Sequence, residues 1–146
     1  MYRLIKIFPL FLACMPLSLP AQFTVKAYKT TDQYNRKVIR IEIKNTGSQD
    51  IRIRNAIIGL ENGTLLHFST SKKQENNAFF SFHPNPMEQR KYTIVKKEKT
   101  EKVDVRLNEV ANYIPIDKDI YLLGHIEYYF PEYNKRHIKK IAIKVE

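Results

Sequence analysis

Cysteine is almost missing from this chain: Cys14 is the one thiol in 146 residues, so no intramolecular disulfide can hold the fold together. Glycine is scarce as well. Four glycines leave little room for a loop that cradles phosphate with backbone N–H groups, and no phosphate loop, dinucleotide fingerprint or Gly-x-Ser-x-Gly elbow occurs. A His-Glu-x-x-His zinc helix is absent too, and the four histidines (67, 83, 125 and 137) are dispersed with no cysteine partner. No stretch reaches the ~20 apolar residues of a membrane-spanning helix. Acidic residues are the minority, 15 against 25 basic ones. These absences leave no recognisable catalytic or cofactor motif, and they point to a domain that folds on its core alone.

The N-terminal layout predicts export. Arg3 and Lys6 precede an apolar run over residues 7–19, and Ala21 is a small residue where cleavage can occur, so residues 1–21 read as a secretory signal. Pro9, Pro16 and Pro20 interrupt the run and argue against a membrane anchor. An alternative keeps Cys14 as a lipidated first residue after Phe11, Leu12 and Ala13, where Ala13 suits a lipobox and Phe11 fits it poorly. Cleavage after Ala21 removes two basic residues and no acidic ones, leaving 125 residues, no thiol and a net charge of +8. A cysteine-free domain of this size fits a periplasmic or secreted bacterial protein that relies on its core. Its basic surface either meets an acidic partner or simply solvates outward strand positions and protects sheet edges.

Period-two alternation dominates the rest. In residues 36–58, Ile39, Ile41 and Ile43 alternate with Arg40, Glu42 and Lys44, and after a polar run the pattern resumes with Ile51 and Ile53 against Arg52 and Arg54. One face is wet and the other dry, which predicts two strands joined as a hairpin through residues 45–50, where Gly47, Asn45 and Asp50 suit a turn. Further strands are expected over residues 23–30, 64–69 (Leu66 and Phe68 on one face), 78–82, 91–96, 103–107, 119–130 and 137–145. Asn62-Gly63 is a turn pair. Asn108 is a candidate cap for a single helical turn that Pro115 would stop. Eight or nine short strands with turn signals between them predict an all-β antiparallel sandwich over residues 22–146, with no second domain.

The segment VIRIEIKNTGSQDIRI resembles the B strand, Asn-Thr-Gly turn and C strand of bacterial immunoglobulin-like β-sandwich domains, and DIYLLGHI resembles their F strand. That resemblance implies a tyrosine-corner role for Tyr121, with its ring buried. The chain has no tryptophan and no cysteine pair, so the kinship is with the disulfide-free branch. The Asn-Thr-Gly turn and VDVRLNEVANY are also similar to the non-catalytic immunoglobulin-like segment of deuterolysin-type zinc peptidases.

The candidate contacts gather near the last turn. Tyr128, Tyr129, Phe130 and Tyr133 lie close in sequence to Lys135, Arg136, Lys139 and Lys140, and aromatic plus basic residues at a loop tip make good contact surface. The bland alternative places two of the aromatics in the core, with the lysines solubilising. Tyr129, Phe130, Tyr133, Lys135 and Arg136, with Lys72 and Lys73 of the loop at 70–77, are the expected binding residues; residues 83–89 form a further candidate loop. His125 and Glu127 share a strand face, but two potential ligands fall short of a zinc site. The expectation is a non-enzymatic module, without cofactor, that engages a protein partner as an inhibitor, immunity protein, chaperone or assembly factor. The alternative is binding of acidic glycans or anionic lipid headgroups through the basic face. Export argues against nucleic acid, although the same residues would suit stacking and phosphate contact.

Overall fold

A computed structural model describes residues 23–54, 65–73 and 92–146. The expected signal segment, the turn at Asn62-Gly63, the strand at 78–82 and the loop at 83–89 lie outside the described residues. Among the described residues, eight strands and one short helix follow in chain order: β1 (Phe23–Thr31), β2 (Lys37–Asn45), β3 (Ile51–Arg54), β4 (Leu65–Ser69), β5 (Tyr92–Val95), β6 (Thr100–Arg106), α1 (Leu107–Ala111), β7 (Tyr121–Phe130) and β8 (Tyr133–Lys144).

The strands form two antiparallel sheets. The first has the order β1-β2-β6. In the second, β8 runs along one edge of β7, while β4 and β3 share the other edge, β4 against Tyr121 to His125 and β3 against Tyr128 and Tyr129; β5 lies beyond β3. Alternation becomes packing directly. Ile39, Ile41, Ile43, Phe23 and Ala27 from the first sheet meet Ile51, Ile53, Phe68, Leu122 and Ile126 from the second in one buried cluster. The all-β, two-layer architecture expected from the sequence is therefore present.

The hairpin expected over residues 36–58 is not. β2 and β3 belong to different sheets, and residues 46–50 carry the chain from one layer to the other. Alternation reports which side of a strand is dry, not which strand it pairs with. The corner is pinned by Asn45, which is fully buried. Its Nδ2 donates to the carbonyls of Gln49 (2.8 Å) and Val95 (2.9 Å), and its Oδ1 accepts from Gly47 N–H (2.9 Å). Asp50 Oδ1 accepts from Lys97 N–H at 2.8 Å and ties the same corner to the turn before β6.

At the other end the C-terminal residues join the layers. Val145 N–H donates to Ile120 C=O, and Glu146 exchanges backbone bonds with Ala27 and Lys29 of β1. Two expectations need correction here. Asn108 does not cap α1: Arg106 holds the N-cap position, and Asn108 sits inside the first turn with its Oδ1 accepting from Glu109 N–H. The Tyr121 ring is half-buried rather than buried, because period two gives the core side to Ile120 and Leu122 and turns Tyr121 outward, opposite Lys144 in register.

The outer face of the first sheet is solvated as expected, with Lys26, Lys44 and Lys102 exposed. Arg40 forms a two-pronged bond to its register partner Asp104 (2.7 and 2.8 Å). Glu42 accepts from the Tyr28 hydroxyl at 2.9 Å and pairs with Lys102 at 3.4 Å. The Arg40 bond holds the Asp104 carboxyl below its ordinary range, and the Tyr28 hydroxyl does the same for Glu42. Carboxylates depressed in the fold contribute stability above their unfolded values, and that contribution is lost as pH falls through the folded ones. His67 adds to the acid side, because burial lowers its imidazole and the unfolded chain takes up a proton more readily. Denaturation midpoints are expected to fall first below about pH 6.5 and then again below about pH 4. Asp104→Asn, weaker than wild type at pH 7, should show a shallower second fall; an unchanged acid slope in that variant would exclude the pair as a contributor.

Candidate functional site

The second sheet turns its outer face to solvent with a different composition. Register places Ile94, Arg52, Tyr129 and Arg136 in one row across β5, β3, β7 and β8. Tyr92 faces Arg54 in the row beside it, and Glu127 faces Ile138 across β7 and β8. Aromatic rings and guanidinium groups interleave. The Arg52 guanidinium lies 4.9 Å from the Tyr92 ring centroid and 5.8 Å from that of Tyr129, Arg54 lies 5.8 Å from Tyr92, and the two tyrosines meet edge to face at 5.8 Å. Such stacking holds long cationic side chains in place, so less freedom is lost when something binds over them. Ile94 is 52% exposed and Ile138 54%, and both are large apolar groups on a sheet face where solvent-facing positions are normally polar.

Glu127 is buried on this face and forms an ion pair with Arg136. Its carboxylate fixes the arginine at the end of the row. His125 shares the face, as expected, but Glu127 is engaged by Arg136, and among the described residues no group of three His, Cys, Asp or Glu side chains gathers to hold a metal.

The expected binding residues divide. Tyr129 and Arg136 are direct register neighbours on the outer face. Lys72 reaches the same face further along, lining a concavity with His125 and Lys140; Lys73 beside it and Lys135 are exposed. The side chain of Tyr133 lies outside the described residues. Phe130 points the other way: it packs against the core, with its ring 5.9 Å from Tyr128 and 5.3 Å from His137. Tyr128 is core as well, and half-buried Lys139 lies over the Phe23 ring. Consecutive strand residues face opposite sides, so a cluster of four aromatics within six residues could not all share one surface.

Sequence reasoning missed Arg52, Arg54, Tyr92, Ile94 and Ile138. Alternation already turned Arg52 and Arg54 outward but left the face of Tyr92 open, and only the β3–β5 and β3–β7 pairings, between strands far apart in the chain, bring them beside Tyr129. No protein-family model matches the chain, and no curated protein matches it.

Proposed function

We propose that this chain is an exported, non-enzymatic immunoglobulin-like sandwich that binds a protein partner through the outer face of its second sheet. The carrying observation is the row Ile94–Arg52–Tyr129–Arg136 with Tyr92 and Ile138 beside it. Tyrosine and arginine are the residues that dominate interface energies, and exposed isoleucines at both flanks would be covered by a partner. The strand order β1-β2-β6 over β8-β7-β3 supports the immunoglobulin-like reading, since it follows the resemblance of β2, β3 and β7 to B, C and F strands. On this reading the chain itself acts as an inhibitor, immunity protein, chaperone or assembly factor.

The test is capture from an exported-protein fraction with tagged residues 22–146, washed at about 0.5 M salt, where charge screening is nearly complete. Retention of one stoichiometric partner is expected, with about ten- to a hundredfold weaker binding for Tyr129→Ala or Arg52→Glu, as truncating interface anchors of this kind produces. Phe130→Leu, on the core side, should leave the affinity unchanged. A partner held equally by wild type and both outer-face variants would refute this reading. Binding only of glycan or anionic lipid, lost on raising salt, would favour the basic surface instead.

A further inference from the structure

Next to the arginine–tyrosine rows the same face dips into a concavity of about 490 Å³ across β7 and β8, within the size range of ligand pockets. Its walls combine two chemistries. Leu123, Ile138 and Ala142 supply apolar surface, and Lys72, His125 and Lys140 stand around it. Leu123 is the register partner of Ala142, and His125 that of Lys140, so the apolar and basic pairs occupy neighbouring rows. Gly124 lies between them with φ 128°, a conformation that residues with a Cβ avoid. Among the described residues the side chains of Lys72, His125 and Lys140 make no hydrogen bond or ion pair, and no carboxylate is among the described lining residues. Glu127, in the next row, is already paired with Arg136.

We infer that this concavity takes an apolar side chain of the protein partner together with an adjacent carboxylate, so the segment docking there is both acidic and apolar. The inference rests on the protein-binding reading and deepens it. Apolar walls alone accept any hydrophobic side chain; two lysines and a histidine, with no acid among the described lining residues, favour one that arrives with negative charge. Ile138 joins the concavity to the exposed rows, which makes the two a single docking face.

The probes are the capped peptides Glu-Leu-Asp-Phe-Glu and Gln-Leu-Asn-Phe-Gln, titrated into the purified chain while backbone amide resonances are followed by NMR. The acidic peptide is expected to shift the amides of Leu123, His125, Lys140 and Ala142, and to bind at least about tenfold more tightly than its amide counterpart at low salt. Lys72→Glu and Lys140→Glu should each weaken it by about tenfold, while Ala142→Leu fills the floor and weakens both peptides. Equal affinity for the two peptides, indifference to Lys72→Glu and Lys140→Glu, or shifts confined to the Arg52–Tyr129 row would overturn the assignment. So would saturable binding of decanoate with none of either peptide, which would make the occupant a small amphiphile. Failure here with partner capture still sensitive to Tyr129→Ala removes the concavity alone; peptide binding here with capture insensitive to Tyr129→Ala removes the wider interface alone.

Discussion

Asn45→Leu is expected to destabilise the domain by about 4 kcal/mol and to lower its melting temperature by about 15 °C. The side chain is fully buried and makes three hydrogen bonds, to Gln49 C=O, Val95 C=O and Gly47 N–H. Leucine has nearly the same volume and none of the polarity. Each bond contributes about 1 kcal/mol net, and a buried carbonyl left without a donor costs about 1–3 kcal/mol more; Val95 C=O is the group most exposed to that penalty, because its bond to Asn45 is the buried one. Asn45→Asp should be at least as damaging, since the carboxylate cannot donate to either carbonyl and brings a charge into a buried site. Asp50→Asn keeps an acceptor for Lys97 N–H and should cost little. Thermal unfolding by circular dichroism decides the matter: an Asn45→Leu protein melting within about 3 °C of wild type would mean that water replaces the side chain and the corner is not held by it.

That corner also marks the limit of what sequence alone could say. The dry faces of β1, β2, β3, β4 and β6 were legible residue by residue, because burial at period two needs only the local run. Ile39, Ile41 and Ile43 are buried whichever strand lies beside them. The pairing of those strands was not legible, because Asn45, Thr46, Gly47 and Asp50 suit a tight hairpin as well as a crossing between sheets. What selects the crossing is long-range: some fifty positions away, Val95 C=O accepts a bond from Asn45 Nδ2, and Lys97 N–H donates one to Asp50 Oδ1. The candidate site shows the same division. Tyr129 and Arg136 were found because they are close in sequence. Arg52 and Tyr92 were not, because they become neighbours of Tyr129 only when β3 inserts between β5 and β7.

The aromatic cluster near the last turn, expected as contact surface, turns half of its members into a clamp between the sheets, and that clamp carries the second large effect. Phe23→Ala is expected to cost about 3–5 kcal/mol, the range for truncating a buried phenylalanine. Phe23 of β1 is buried, meets Tyr128 of β7 edge to face at 5.3 Å, and so joins the first sheet to the second. Tyr128 in turn stacks on His137 of β8 at 5.1 Å. Lys139 of β8 closes the arrangement: its ammonium lies 4.4 Å from the Phe23 ring centroid and donates to the Phe23 carbonyl. Burial lowers the Lys139 ammonium below its ordinary value of 10.5.

A lysine depressed in the fold gives a recognisable pH signature. Between its folded value and 10.5 the unfolded chain binds more protons than the native one, so this residue makes stability rise with pH across that alkaline interval and adds a constant penalty below it. Lys139→Met keeps the length and apolar stem, removes the buried charge and gives up a cation–π contact worth about 0.5–2 kcal/mol. It should therefore change neutral-pH stability by no more than about 1 kcal/mol while abolishing the Lys139 part of the alkaline rise. Phe23→Ala should abolish the same part for a different reason: without the ring, the ammonium regains water. Urea midpoints at neutral pH and through the alkaline range, for wild type and both variants, separate the possibilities. If Phe23→Ala loses its several kcal/mol but retains the wild-type alkaline dependence, the ring packs the two sheets together without setting the environment of Lys139. If both variants flatten it, one aromatic side chain joins the layers and also excludes water from the cation across from it.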